Sequence, residues 1–273
     1  MKKNKSLLLS GPYILWMLLF TLIPLGVMGY YAFTDPDTGA FTFRNLQDLS
    51  VFIPTLGTSV WYSLISAFIC LLLGYPVAYF IAHRKAVTQK ILYMLVMLPM
   101  CMSFLLRTLA WVGILETNGI LNTLLSGIGL APVEIIGTSG AVILGMVYNY
   151  LPYMILPLYA TIVKIDHRLI EAAEDLGCNG VQVFARVVLP LSIPGILSGI
   201  TMVFVPAVST FYISQKLGGA DTMLIGDIIE KQFKSSHNPN LGAALSLLLM
   251  LLVLICTGIM NRFGGDEEGG VVV

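Results

Sequence analysis

Charge is scarce in this chain of 273 residues. Asp, Glu, Lys and Arg make up 11% of it, against about 25% in an average soluble domain. Apolar residues make up 57%. A soluble fold of this length could not cover so much apolar surface, so lipid must be the solvent for much of it. The formal net charge is zero, so no bulk field points to nucleic acid. Histidine is scarce too: the three are scattered without ligand spacing, which argues against a metal site. The four cysteines (Cys70, Cys101, Cys178, Cys256) lie far apart with no Cys-x-x-Cys pair. That excludes a disulfide framework, and the three in apolar runs are expected to act as small hydrophobes. No Gly-Lys pair occurs anywhere, so there is no Gly-x-x-x-x-Gly-Lys-Ser/Thr phosphate loop.

What is present is a series of long uncharged segments. They predict helices near 12–33, 59–82, 91–115, 139–162, 192–214 and 241–261, each close to the ~20 residues needed to cross the hydrocarbon core. The fold class is all-α, polytopic, with about six transmembrane helices. The start, Met1-Lys2-Lys3-Asn4-Lys5, leads into an apolar stretch reaching Phe33, long enough to span and read as an uncleaved first helix. Pro24, Pro76, Pro99, Pro152, Pro157 and Pro206 fall in or near spans. A packed bundle tolerates them because its neighbours satisfy the freed backbone groups.

Basic residues set the orientation. With the N-terminus inside, Lys2, Lys3, Lys5, Arg84, Lys85, Lys90, Lys164, Arg168, Arg186 and Arg262 are cytoplasmic, and Arg44, Arg107, Lys216, Lys231 and Lys234 are outer. Ten against five places both termini in the cytoplasm of a multi-pass cell-membrane protein. The polar stretch Gly264-Gly265-Asp266-Glu267-Glu268-Gly269-Gly270 reads as a disordered tail over 263–273.

The loop between the fourth and fifth spans is the most informative stretch. Asp166-His167-Arg168-Leu169-Ile170-Glu171-Ala172-Ala173-Glu174-Asp175-Leu176-Gly177 predicts a short helix with Asp166 as N-cap and Gly177 at the C′ position. A second short helix is expected from about Gly180 to Val188, with Asn179 as its cap, before Leu189-Pro190 leads back to the membrane. Glu171 is expected to pair with Arg168 one turn earlier. The whole would form a compact knob of small Ala and acidic side chains outside the bilayer.

Glu171-Ala172-Ala173, then Gly177, then Val188-Leu189-Pro190 resembles, within one or two residues of spacing, the coupling loop of bacterial ABC importer permeases. The resemblance implies a type I ABC importer permease fold. Its permease core would cover 57–262 with the coupling loop at 164–190, preceded by a cytoplasmic stub, first helix and outer loop over 1–56. It also implies that Glu171, Ala172, Ala173, Asp175, Gly177 and Pro190 form the docking element for an ATP-hydrolysing subunit, with small Ala side chains permitting close approach. ATP and Mg would then reside on that subunit, with no cofactor on this chain.

A wider likeness runs from about Tyr13 to Arg262. It is carried by Leu73-Gly74-Tyr75-Pro76-Val77-Ala78-Tyr79, Leu105-Leu106-Arg107-Thr108-Leu109-Ala110-Trp111, Tyr148-Asn149-Tyr150-Leu151-Pro152-Tyr153-Met154, Phe211-Tyr212-Ile213-Ser214, Leu217-Gly218-Gly219 and Leu224-Ile225-Gly226-Asp227. These segments resemble the permeases of spermidine/putrescine ABC importers. The resemblance implies a polyamine substrate, a second homologous permease, ABC ATPase subunits and an extracytoplasmic binding protein, all around a lipid-embedded, non-enzymatic chain.

A linear polycation suits aromatic faces and carboxylates. Trp111, Glu116, Tyr148, Asn149, Tyr153, Phe211, Tyr212 and Asp227 are the candidate pathway residues, with Tyr150 and Asp221 nearby. Tyr and Trp also serve as interface anchors, and Glu116 and Asp227 read as solvated loop acids. Arg107 interrupts a long apolar segment. A cation would oppose a polyamine, so Arg107 is assigned a structural or gating pairing. The coupling loop alone also fits a permease for sulfate, molybdate or iron. An ion-coupled secondary transporter would instead need mid-membrane charges and inverted repeats, and neither is evident.

Overall fold

The computed structural model describes residues 12–13, 15–35, 38–236 and 238–264. The N-terminal basic cluster and the polar tail beyond Gly264 lie outside these residues. Among the described residues the secondary structure is helical apart from two isolated bridges, Thr34 with Phe41 and Gly137 with Gly218. Besides the short segments Arg44–Asp48 and Leu189–Leu191, the α-helices among the described residues are α1 (Leu15–Ala32), α2 (Ile53–Ala82), α3 (Ala86–Met97), α4 (Phe104–Leu115), α5 (Ile120–Gly127), α6 (Ser139–Ile162), α7 (His167–Asp175), α8 (Gly180–Val183), α9 (Ile193–Val208), α10 (Tyr212–Leu217), α11 (Ile225–Lys234) and α12 (Pro239–Gly264).

Among the described residues, five helical runs are long and apolar enough to cross a membrane: Leu15–Ala32, Arg44–Ala82, Phe104–Gly127, Ser139–Ile162 and Pro239–Met260. The pair Gly180–Leu191 and Ile193–Val208, bent by 63° at Ser192, makes a sixth. Two of the expected spans differ. The continuous helix expected over 91–115 is broken: α3 ends at Met97, a 3-10 turn covers Leu98–Cys101, and α4 starts afresh at Phe104. Pro99 lacks an N–H and so removes a helix hydrogen bond, and the chain leaves helical geometry at Met102, which is extended. The expected 192–214 span stops at Val208, and Tyr212–Leu217 forms a separate helix.

Proline also explains two widened turns. The π-helical turns Leu18–Leu22 and Phe184–Val188 end just ahead of Pro24 and Pro190. In each, the next N–H bonds five residues back, Ile23 to the Leu18 carbonyl and Leu189 to the Phe184 carbonyl. Such turns are one way a helix absorbs an interrupted hydrogen-bond ladder.

The chain forms two compact units, one comprising the described residues up to Pro54 with Ile228–Leu252, the other Thr55–Asp227 with the residues from Val253. In the first, the Phe33, Phe41 and Phe43 rings cluster with centroids 5.1–5.9 Å apart. The buried Asn45 donates to the Ala32 and Thr34 carbonyls at 3.0 Å each, and Asn240 also donates to the Thr34 carbonyl. The second unit is built around α6, the most buried of the spans. Its Val142, Met146, Met154 and Leu158 are solvent-free. Helices approach α6 closely at glycines: a Cβ at Gly195 of α9 would lie 2.6 Å from Thr161 Oγ1, and one at Gly199 would lie 2.6 Å from Met154 Sδ. Lipid gives helices no hydrophobic reason to associate, so close packing through small residues supplies the contact energy.

Candidate functional site

The 164–190 segment is a helix-turn-helix whose ends are all chemically satisfied. Asp166 accepts a hydrogen bond from the Arg168 N–H at 3.0 Å and so caps α7. At the other end Gly177 has φ +84°. Its N–H reaches the Glu174 carbonyl at 2.8 Å, and the Cys178 N–H reaches the Ala173 carbonyl at 3.1 Å. That pair of bonds is a Schellman motif, which needs a left-handed residue that glycine supplies without strain. Asn179 then opens α8 with a reciprocal capping box: its side chain accepts from the Gln182 N–H at 2.9 Å, and the Gln182 side chain accepts from the Asn179 N–H at 3.0 Å.

Beneath this turn lies a small apolar core of Ala173, Val183 and Val188, flanked by Ile165, Ile170 and Phe184. Ala173 therefore faces inward and holds α7 on the following segment. Of the alanine pair, Ala172 is the exposed one. Glu171, Asp175, Gly177 and Pro190 are all exposed. Glu171 pairs with His167 at 3.4 Å, four residues back, rather than with Arg168. Sequence reasoning missed the two most prominent side chains of the knob. Leu176 is 86% exposed and Val181 77%, one on each side of the Gly177 turn. Their signal was available: apolar residues beside a C′ glycine and after a cap, in a segment otherwise polar.

The loop is tied to α2 by aromatic contacts. Phe184 lies edge-on to Tyr75 at 5.5 Å and to Tyr79 at 5.7 Å, centroid to centroid. The Tyr75 hydroxyl shares a 2.8 Å hydrogen bond with Ser192, the residue at the 63° bend. One turn of a spanning helix thus grips both the knob and the hinge that follows it.

The candidate pathway residues fall into two groups. Trp111 of α4 meets Tyr148 of α6 edge-on at 5.2 Å. Phe104, which sequence reasoning missed, links Tyr150 at 6.5 Å and Tyr212 at 6.2 Å, and Tyr150 touches Tyr153 at 6.3 Å. Lys216 stands 5.8 Å from the Tyr212 ring, and the Tyr150 hydroxyl donates to the Pro206 carbonyl at 3.3 Å. Phe211 is exposed between α9 and α10, and Glu116 is exposed at the end of α4.

Asp227 corrects the sequence reading of a solvated loop acid. It is only 5% exposed, and its Oδ2 accepts from the Leu224 N–H at 2.8 Å. A carboxylate in the first turn of α11 satisfies an end N–H and complements the helix dipole. Ser59 of α2 accepts the next N–H, that of Ile225, at 2.8 Å.

Two buried polar groups stand out. Asn149 is 1% exposed and donates to the Gly145 carbonyl at 2.9 Å, but its Oδ1 has no hydrogen-bond partner among the described residues. Arg107 is 5% exposed, and its Nε and Nη1 also lack partners there. It occupies the same face of α4 as Phe104, Thr108 and Trp111 by helical spacing.

Residues 71–264 match the family described as binding-protein-dependent transport system inner membrane component. The chain is 41% identical over 258 residues to the spermidine/putrescine transport system permease protein PotB of Haemophilus influenzae, covering 90% of each. It is 37% identical over 247 residues to PotB of Escherichia coli, covering 87% of this chain and 90% of that one. It is 30% identical over 286 residues to the E. coli inner membrane ABC transporter permease protein YdcU, covering 96% and 90%. Among solved structures, a chain of a bacterial ABC transporter involved in import of the acidic polysaccharide alginate superposes with a TM-score of 0.81 at 19% identity, covering 98% and 99%. A chain of an alginate ABC transporter in complex with an alginate pentasaccharide-bound periplasmic protein gives 0.76 at 20%, covering 98% and 96%. At such identities these two establish the fold. The capped helix-turn-helix, the apolar spans and the relatives agree: this chain belongs to the binding-protein-dependent transport system inner membrane component family, as a multi-pass permease subunit of an ABC importer.

Proposed function

We propose that the chain is a polyamine permease, translocating spermidine or putrescine, with both termini in the cytoplasm. The observation that carries the cargo is its 37–41% identity to two PotB proteins over about nine-tenths of its length. The aromatic groups around Trp111–Tyr148 and Phe104–Tyr150–Tyr212 are compatible with a linear cation, because ring faces attract ammonium groups. Substrate selection falls mainly to an extracytoplasmic binding protein. Two ABC ATPase subunits bind and hydrolyse Mg-ATP, and a second homologous permease completes the pathway. This chain carries no catalytic residue and no cofactor.

Coupling runs through the knob. Leu176 and Val181 are apolar, exposed and rigidly presented, the properties of a surface that docks into a groove. Closure of the ATPase pair displaces the knob. Phe184 transmits the displacement to α2 through Tyr75 and Tyr79, and the bend at Ser192 passes it to α9. The bundle then switches between two packed arrangements as rigid pieces.

The decisive test is uptake by the complete complex reconstituted in vesicles. Labelled spermidine or putrescine should accumulate with ATP and binding protein, and excess sulfate should not compete. Arg107 is the one feature that favours an oxyanion cargo such as sulfate. Sulfate uptake without polyamine uptake would replace the polyamine reading with that one.

A further inference from the structure

A cavity of about 320 Å³ lies where the ends of α2 and α6 meet the start of α7. That volume is at the small end of the range for ligand sites, about 300–1,000 Å³. Ala82 and Ile162, the last residues of α2 and α6, line it, together with His83, Arg84, Gln89 and His167. Because two spans end here, the cavity sits at the depth of lipid headgroups.

Its polar lining carries basic and neutral groups and no carboxylate. Arg84 is positioned by its guanidinium lying 4.0 Å above the Phe80 ring, and it makes no ion pair among the described residues. Helix C-termini ordinarily repel anions, but here the nearby carbonyls are occupied. The Ala82 carbonyl accepts from Gln89 Nε2 at 2.8 Å, and the Tyr79 carbonyl faces His83 Nδ1 at 2.9 Å. The framing segments add Lys164 and Arg168. Of the acids nearest the cavity, Asp166 caps α7 and Glu171 pairs with His167, while Glu174 and Asp175 lie at the far end of α7.

We propose that this cavity binds a phosphate-bearing anion, with Arg84 as its charge partner, and that occupancy fixes α7 against the ends of α2 and α6. The ligand is an anionic phospholipid headgroup or free inorganic phosphate. Either would act on the coupling loop from its membrane side, away from Leu176 and Val181, and the inference holds whatever the cargo.

The complete transporter in phosphatidylcholine nanodiscs, with or without phosphatidylglycerol, provides the test. Native mass spectrometry reads retained phosphatidylglycerol, and hydrogen exchange reads the α7 amides. Retention should fall about tenfold in Arg84→Gln, the worth of one charge-assisted contact, and should persist in Lys90→Gln, which removes a charge outside the cavity. Phosphatidylglycerol should slow α7 exchange in the native protein and leave Arg84→Gln unaffected. If inorganic phosphate in phosphatidylcholine discs produces the same slowing, the cavity binds soluble phosphate. Equal retention and equal exchange in native and Arg84→Gln proteins would overturn the site, as would losses in Lys90→Gln matching those in Arg84→Gln.

Discussion

Gly177 is the residue on which the shape of the knob depends. At φ +84° any Cβ is strained by roughly 1–2 kcal/mol, yet open space surrounds the position in this chain. The penalty is therefore one of backbone, not of collision. Gly177→Ala should weaken co-purification of the ATPase subunits and lower uptake. Gly177→Asn should keep more of both, because Asn tolerates the left-handed region. Pull-down of the ATPase from solubilised membranes checks the order; equal behaviour of the two variants would mean that φ is not what matters. Gly177→Asp additionally places a charge at the proposed docking surface and should abolish uptake while the protein stays in the membrane. For the pathway, Trp111→Ala or Tyr148→Ala removes an aromatic pair worth about 0.5–1.5 kcal/mol. Spermidine uptake should drop about two- to tenfold with the complex still assembled. Uptake unchanged in both would return these rings to the role of interface anchors.

Between helices, two contrasts are testable. Phe184 joins the knob to α2 through two aromatic pairs, together worth about 1–3 kcal/mol. Phe184→Ala should leave ATPase subunits bound but loosen transmission, so that ATP hydrolysis continues while transport per ATP falls. Parallel assays of hydrolysis and uptake on one preparation measure that ratio. The second contrast concerns how α9 seats on α6. A methyl at Gly195 would meet Thr161, a β-branched side chain, and the Pro157 carbonyl, neither of which yields readily. A methyl at Gly199 would chiefly meet the flexible end of Met154, which can rearrange. Gly195→Ala should therefore lower the melting temperature in detergent more than Gly199→Ala does, within the usual overpacking range of about 1–3 kcal/mol. The caps of α7 and α8 were legible in the sequence because Asp166, Gly177 and Asn179 act through their own backbone neighbours. The break at Pro99 was harder to read, since a proline in an apolar run either kinks a span or ends it. Neighbouring helices decide which.

Across the whole molecule, the proposed topology rests on the basic residues. A cysteine introduced at Ser235 should react with a membrane-impermeant thiol reagent from outside intact cells, and one at Asn179 should not. Reaction of both from the same side would reject the cytoplasmic placement of both termini. Composition alone determined that this chain lives in lipid, because 57% apolar and 11% charged residues leave no other solvent for its surface. Spacing alone determined the existence and ends of the knob, because capping is chemistry between residues a few positions apart. Only the tertiary structure decided which side of each helix is buried. It turned Ala173 inward and left Leu176 and Val181 outward. It also withdrew Asp227 from solvent, left Arg107 buried with nitrogens unpartnered among the described residues, and joined Phe184 to Tyr75 and Tyr79 more than a hundred positions away. In a span that is apolar on every side, hydrophobic periodicity marks no inner face. The facing of each residue is then fixed by the close packing of one helix on another, which the order of residues along one helix does not contain.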